Sequence, residues 1–242
     1  MLVARLRFLI AFIISACATL LFGVGFLLAN AVAPGPALFT RWARGWARTC
    51  MLSAGIRVSV VGADNLPKGG QCVFVANHQS ALDIPAVLVG IPASFGFVAK
   101  RALSQQPIVG AVLRASPSVF VDGTRPRETI ESVREAAAQI ESGNSVLVFP
   151  EGERTWSRNL VELRKRAFIL AAQAGVPVVP VTIMNAHKLV DERRYVAYSG
   201  RVELRVDPPV LSSDDSLQSV RYTMERVRAI FEQNLAQGAE GE

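Results

Sequence analysis

From residue 8 to residue 40 the chain carries no charged side chain, and residues 8–33 form one long apolar run. At about 1.5 Å per helical residue, a run of this length can cross a hydrocarbon layer of roughly 30 Å. It predicts a membrane-anchoring helix. Pro34, Gly35 and Pro36 break that helix, and the next stretch places Arg41, Arg44 and Arg48 at helical spacing with Phe39, Trp42 and Trp46 between them. Cations and aromatics interleaved in this way predict a helix lying in a membrane interface. Two arrangements fit: a single span, or a helical pair that dips into one leaflet with both ends on the same side, bent near Gly23 and Gly25. The arginines flanking the run, two before it and three after it, do not choose between them. A cleaved signal peptide, with Arg5 and Arg7 as its basic region and small residues around Ala31 and Ala33 as its cleavage site, is the competing reading. Its apolar core would be longer than the usual stretch of roughly 7 to 15 residues.

Beyond residue 56 the pattern changes to short runs rich in Val and Phe, separated by amphipathic stretches. The runs predict strands at 57–61, 71–76, 95–99, 118–121, 145–149, 178–183 and 201–206. Helical periodicity falls between them at 84–89, 108–113, 128–142, 163–174 and 216–233. Within 128–142, Ile130, Val133, Ala137 and Ile140 share one face; Gly143 stops this helix and Gly175 closes the one at 163–174. Alternation of this kind predicts an α/β fold, a mostly parallel sheet flanked by helices, behind the N-terminal membrane-anchoring segment. The organisation read from it is an anchor and interfacial helix over 1–56, one domain over 57–236 and a disordered tail over 237–242.

Charge sharpens the membrane reading. The 242 residues carry a formal charge of +6, yet no acidic residue precedes Asp64, while Arg5, Arg7, Arg41, Arg44, Arg48 and Arg57 all do. From Asp64 onward the charges balance. A nucleic-acid-binding domain would carry its basic surface on the folded body; here the excess flanks an apolar segment, the arrangement expected beside anionic lipid. Charged residues make up 19% of the chain, below the roughly 25% of a soluble domain. Cys17, Cys50 and Cys72 follow no recognisable spacing, and with His78 and His187 as the two histidines they make no zinc cluster. They read as reduced cysteines outside any metal site.

Candidate chemistry lies at two strand ends. Asn77-His78-Gln79-Ser80-Ala81-Leu82-Asp83 follows an apolar strand, so His78 emerges where open α/β sheets place their sites. The carboxylate of Asp83 can turn back to the ring and hold it as a general base. No activated Ser or Cys accompanies the pair, which points to a base that deprotonates a substrate hydroxyl for direct attack on a second substrate. The plainer reading is that Ser80 or Asp83 caps the helix containing Pro85. Phe149-Pro150-Glu151-Gly152-Glu153-Arg154-Thr155 follows another such strand. Gly152 lets a ligand approach the backbone, and Arg154 supplies a planar cation matched to phosphate; taken alone, the segment also reads as a turn with a solvated Arg.

Together, Asn-His-x-Ser-x-x-Asp at 77–83 and Phe-Pro-Glu-Gly-x-Arg at 149–154 resemble the membrane-associated glycerolipid acyltransferases, the 1-acyl-sn-glycerol-3-phosphate (lysophosphatidic acid) acyltransferase family in particular. Two weaker blocks agree in place: Lys100-x-x-Leu103-x-x-x-Pro107-x-x-Gly110 followed by Phe120-Val121-Asp122, and the apolar segment 176–181. The resemblance implies transfer of a fatty acyl group from acyl-CoA or acyl carrier protein to lysophosphatidic acid, giving phosphatidic acid in phospholipid biosynthesis without a cofactor or metal. It makes His78 the base and Asp83 its orienter, assigns Glu151, Gly152 and Arg154 to the acceptor, and adds Lys100 as a phosphate contact. It implies a location on the cytoplasmic side of a cell inner membrane. Gly123 stands where the family commonly has Arg, leaving Arg125 as the candidate replacement, and Glu153 stands where a small Thr is usual. Glu153 puts an extra negative charge beside the phosphate site, so another lysolipid, such as a lyso-ornithine lipid, is the alternative acceptor. A membrane-tethered lipid-binding protein without catalysis is the alternative of a different class.

The remaining candidates have plainer readings. His187 reads as a surface histidine, Lys165-Arg166 and Arg193-Arg194 as solvated helix faces, and residues 217–231 as a helix packed on the sheet. Ala102 and Ala167, where Glu and Gly are common, read as packing changes.

Overall fold

The structure, a computed structural model, describes residues 1–121 and 126–240, and for 36, 126–132, 239 and 240 it describes the backbone alone. Arg125, Asp122 and Gly123 therefore lie outside the described residues. Nine strands are described: β1 (Ile56–Val61), β2 (Val73–Ala76), β3 (Phe95–Lys100), β4 (Val119–Val121), β5 (Ser145–Val148), β6 (Val178–Met184), β7 (Val190–Asp191), β8 (Val196–Ala197) and β9 (Gly200–Val206). The helices are α1 (Leu2–Val32), α2 (Pro36–Ser53), α3 (Asp83–Gly90), α4 (Pro107–Arg114), α5 (Pro126–Glu141), α6 (Arg166–Gln173), α7 (Ala186–Leu189) and α8 (Leu217–Glu240).

Seven strands form one sheet in the order β1-β9-β6-β2-β5-β3-β4, parallel throughout except where β6 meets β9. β1 and β9 run parallel to each other and antiparallel to the rest. β2, β5 and β6 are buried on both faces, which is why they read as continuous apolar runs. Alternate residues feed two cores. Phe74, Ala76, Leu147, Val179, Val181 and Ile183 pack beneath α2 and α3, whereas Val73, Val75, Val146, Val148 and Val178 pack against α5, α6 and α8. From α8, Val220, Val227 and Phe231 close the second core. The helix continues to Glu240, through residues expected to belong to the tail.

α1 and α2 form an antiparallel hairpin. Phe26 meets Phe39, Phe22 meets Trp42, and the Trp46 indole N–H donates to Thr19 Oγ1 at 2.9 Å. Gly23 and Gly25 lie inside a continuous helix, where their missing side chains let Ile108 and the Trp42 ring come close. At the other end of α1, Phe8 packs edge-on against Tyr195, a residue of the domain. Arg44 locks the hairpin down: its guanidinium donates to the carbonyls of Leu88, Ile91 and Ala93, which close the end of α3. The outer face of α1, including Leu6, Leu9, Phe12, Ile13, Leu20, Leu21 and Leu28, is exposed.

Candidate active site

β2 and β5 are neighbours in register, Val75 opposite Val148, so the loops that leave their carboxyl ends lie side by side. This brings the two motifs together. The His78 N–H donates to Glu151 Oε1 at 2.7 Å, and in return the N–H groups of Thr155 and Trp156 donate to the carbonyls of His78 and Gln79 at 2.9 and 3.0 Å. The His78 ring stacks on the Phe149 ring with 4.1 Å between centroids. Asn77 fixes the start of the loop to β6, its amide accepting from the Ile183 N–H and donating to the Ile183 carbonyl at 2.6 and 3.0 Å.

Asp83 opens α3 and is fully buried. Its Oδ2 lies 2.7 Å from His78 Nδ1 and also accepts the backbone N–H groups of Gln79 and Ser80. Burial pushes the Asp83 carboxyl above its ordinary range, opposed by the His78 contact and these two N–H groups. The three donors on one oxygen select the Nδ1–H tautomer of His78 and leave Nε2 as the basic nitrogen.

His78 sits on the wall of a cleft of about 1280 Å³. Its apolar lining includes Phe22, Phe26 and Trp42 of the hairpin, Phe97 of β3 and Ile108 and Val112 of α4. Its charged lining includes Lys100, Arg101, Arg154, Arg164 and Arg166, and Glu153. No Ser or Cys is among the described residues lining it. Of the cysteines, Cys72 is buried, and burial pushes its thiol up to about 12.

The expected site residues fall into three groups. His78, Lys100, Gly152 and Arg154 line the cleft, with Asp83 directly behind His78. Gly152 adopts φ 75°, a left-handed backbone conformation that favours glycine, and its missing side chain leaves room for the Arg164 guanidinium. Glu151 is elsewhere. It is buried, does not line the cleft, and accepts from the N–H groups of His78 and Val161. It thus ties the two motif loops together; burial pushes its carboxyl upward, opposed by these same N–H groups.

Four residues sit differently from what their sequence context implies. His187 is half-buried, with its Nδ1 3.1 Å from the Gln79 side-chain oxygen, beside the turn that carries His78. Arg166 lines the cleft. Arg193 and Arg194 sit in the turn of the β7–β8 hairpin, not on a helix, and the Arg193 guanidinium lies 4.7 Å over the Trp156 ring. The hairpin strands are too short to register as apolar alternation, and Arg193 and Trp156 are far apart in sequence, so only the fold brings them together.

A family model described as Acyltransferase matches residues 57–184, more than half of the chain. The chain belongs to the acyltransferase family. Curated relatives include the chloroplastic 1-acyl-sn-glycerol-3-phosphate acyltransferase BAT2 of Brassica napus, 31% identical over 66% of this chain and 47% of its own length. The 1-acyl-sn-glycerol-3-phosphate acyltransferase of Saccharomyces cerevisiae is 32% identical over 73% of this chain and 59% of its own. The alpha form of Ovis aries is 34% identical over 72% and 61%. The chain thus spans about half to three-fifths of the length of these relatives. Among solved structures, the 1-acyl-sn-glycerophosphate (LPA) acyltransferase PlsC of Thermotoga maritima superposes with a TM-score of 0.80 at 26% identity, covering 96% of both chains. The mostly parallel sheet flanked by helices, with the long apolar helix at its N-terminus, is shared with that structure.

Proposed function

We propose that this acyltransferase moves a fatty acyl group from a thioester, carried by coenzyme A or acyl carrier protein, to the sn-2 hydroxyl of 1-acyl-glycerol-3-phosphate, making phosphatidic acid. The observation that carries this is the His78–Asp83 pair on the wall of a cleft lined by both apolar and cationic side chains. A lysophosphatidate calls for both: it has a hydrocarbon chain, a free hydroxyl and a phosphate.

In this reading the phosphate lies against Arg154 and Lys100, and hydrocarbon lies along Phe22, Phe26, Trp42 and Ile108. His78 Nε2 takes the proton of the acceptor hydroxyl as its oxygen attacks the thioester carbonyl. The tetrahedral intermediate collapses with cleavage of the C–S bond, and the imidazolium gives its proton to the departing thiolate. Asp83 holds the ring and balances the imidazolium charge between these two steps.

The same reading places the protein on the cytoplasmic face of a cell inner membrane with the α1–α2 hairpin in one leaflet. In a single span, one end of α1 would leave the domain by the thickness of the bilayer. Here Phe8 touches Tyr195 and Gly23 touches Ile108, so both parts of α1 stay against the domain while its outer face offers an apolar surface to lipid. The test is product analysis with purified protein in vesicles, offering acyl-CoA or acyl carrier protein thioesters with lysophosphatidic acid or lyso-ornithine lipid. Phosphatidic acid supports the proposal. Acylation of the ornithine lipid alone reassigns the acceptor, and lipid binding without any product replaces the enzyme with a binding protein.

A further inference from the structure

Arg154 does not face the cleft with its charge uncompensated. Its Nη1 donates to Glu192 Oε1 at 2.9 Å, with the Arg and Glu side chains 35% and 22% exposed. Arg154 lines the cleft and Glu192 does not, so the carboxylate takes the guanidinium from outside the substrate space. The remaining oxygen of Glu192, Oε2, is buried and accepts no hydrogen bond from any described residue. Glu192 is held in place by its setting in the β7–β8 hairpin, where the neighbouring Arg193 lies over Trp156, two residues beyond Arg154. Two successive hairpin residues thus grip the second motif loop.

We propose that Glu192 is an acceptor-selecting residue, a resident counter-charge on Arg154 that moderates binding of a doubly charged phosphate. The inference rests on the reading of Arg154 as the phosphate contact. A guanidinium has five N–H donors in a planar fork, so one can remain on Glu192 while others meet a ligand. The phosphate then binds close to an added negative charge. Coulomb energy scales with ligand charge, so the penalty for a phosphomonoester, which carries nearly two charges at neutral pH, is about twice that for a singly charged phosphodiester. Glu192 narrows the preference between the two. Glu153, on the cleft wall, adds to the same bias.

Glu192→Gln isolates the charge, because the amide oxygen still accepts from Arg154 Nη1 and keeps the fork in place. The expected result is a fall in KM for lysophosphatidic acid of about tenfold. For a 1-acyl-glycerophosphoglycerol, followed as substrate or as competitive inhibitor, KM or Ki falls about threefold, the two shifts being related as a square to its root. The change lies in KM and not in kcat, and added salt shrinks it. A KM that rises overturns the proposal, since that is what a purely structural tether produces, and so do equal falls for the two lipids, which charge scaling forbids. If the Gln variant melts below wild type, Glu192→Ala is read on the sign of the shift: a lost tether raises KM, whereas a lost charge lowers it, more for the dianion. Arg154→Ala is measured in parallel. If it raises KM while Glu192→Gln leaves KM unchanged, only the selecting role falls; if it leaves KM for lysophosphatidic acid unchanged, the phosphate reading beneath it falls as well.

Discussion

Replacing Asp83 with asparagine removes one charge and almost no volume from the centre of the site. Asp83 Oδ2 holds three donors, while its buried Oδ1 receives no hydrogen bond from any described residue. An asparagine can place its oxygen on the three donors and its NH2 where Oδ1 stood, leaving a buried donor unpartnered at a cost of about 1–3 kcal/mol. Against that stands the penalty of the native charge. Burial raises the Asp83 carboxyl, so the folded protein holds this proton more tightly than the unfolded chain does. Stability associated with the group is therefore present below the ordinary carboxyl range and is lost as pH rises through the raised folded value. The amide has no such loss. Stability at neutral pH should change little, and the difference between variant and wild type should move in the variant's favour as pH rises. Catalysis should not be spared: without a counter-charge for the imidazolium, kcat should fall about 10²- to 10⁴-fold. Thiol release from acyl-CoA, followed beside urea denaturation across acidic and neutral pH, reads both quantities. Turnover within about threefold of wild type would refute the role given to Asp83, and a large loss of stability at neutral pH would mark it as structural.

Two further substitutions probe how the site is held. Arg44→Met removes the donor from the carbonyls of Leu88, Ile91 and Ala93, and should lower stability in urea by about 2–4 kcal/mol while exposing the α1–α2 hairpin to limited proteolysis. Asn77→Ala loses both contacts with Ile183 and should lower stability by about 1–3 kcal/mol, with a fall in kcat at unchanged KM because His78 directly follows the freed residue. An unchanged denaturation midpoint in either case contradicts the corresponding contact.

Much of this architecture is legible in local pattern. The seven predicted sheet strands each fall within two residues of an observed one; β2, β5 and β6, buried on both faces, must be apolar along their length. Strand direction is not written in that pattern. β9 returns antiparallel to β6 because only α7 and the small hairpin lie between them, too little for a crossover helix packed on the sheet. The predicted helix at 163–174 starts late, at Arg166, because Leu163 is buried outside any helix or strand and the Arg164 N–H donates to the Pro150 carbonyl. Within the site, the pairing of His78 with Asp83 is readable because a spacing of five residues allows one turn to close. Glu151 as a strut, His187 on Gln79 and Glu192 on Arg154 are not, since each depends on segments brought together by the sheet order.

The central claim is that His78 is the base for acyl transfer to a lysolipid hydroxyl. Its most direct test is phosphatidic acid formation from lysophosphatidic acid and a radiolabelled acyl thioester in vesicles, wild type beside His78→Ala, with membrane association followed in the same samples. The account predicts product from wild type alone and equal association of both proteins with the vesicles. Product from a folded, membrane-bound His78→Ala at a rate near wild type would contradict it.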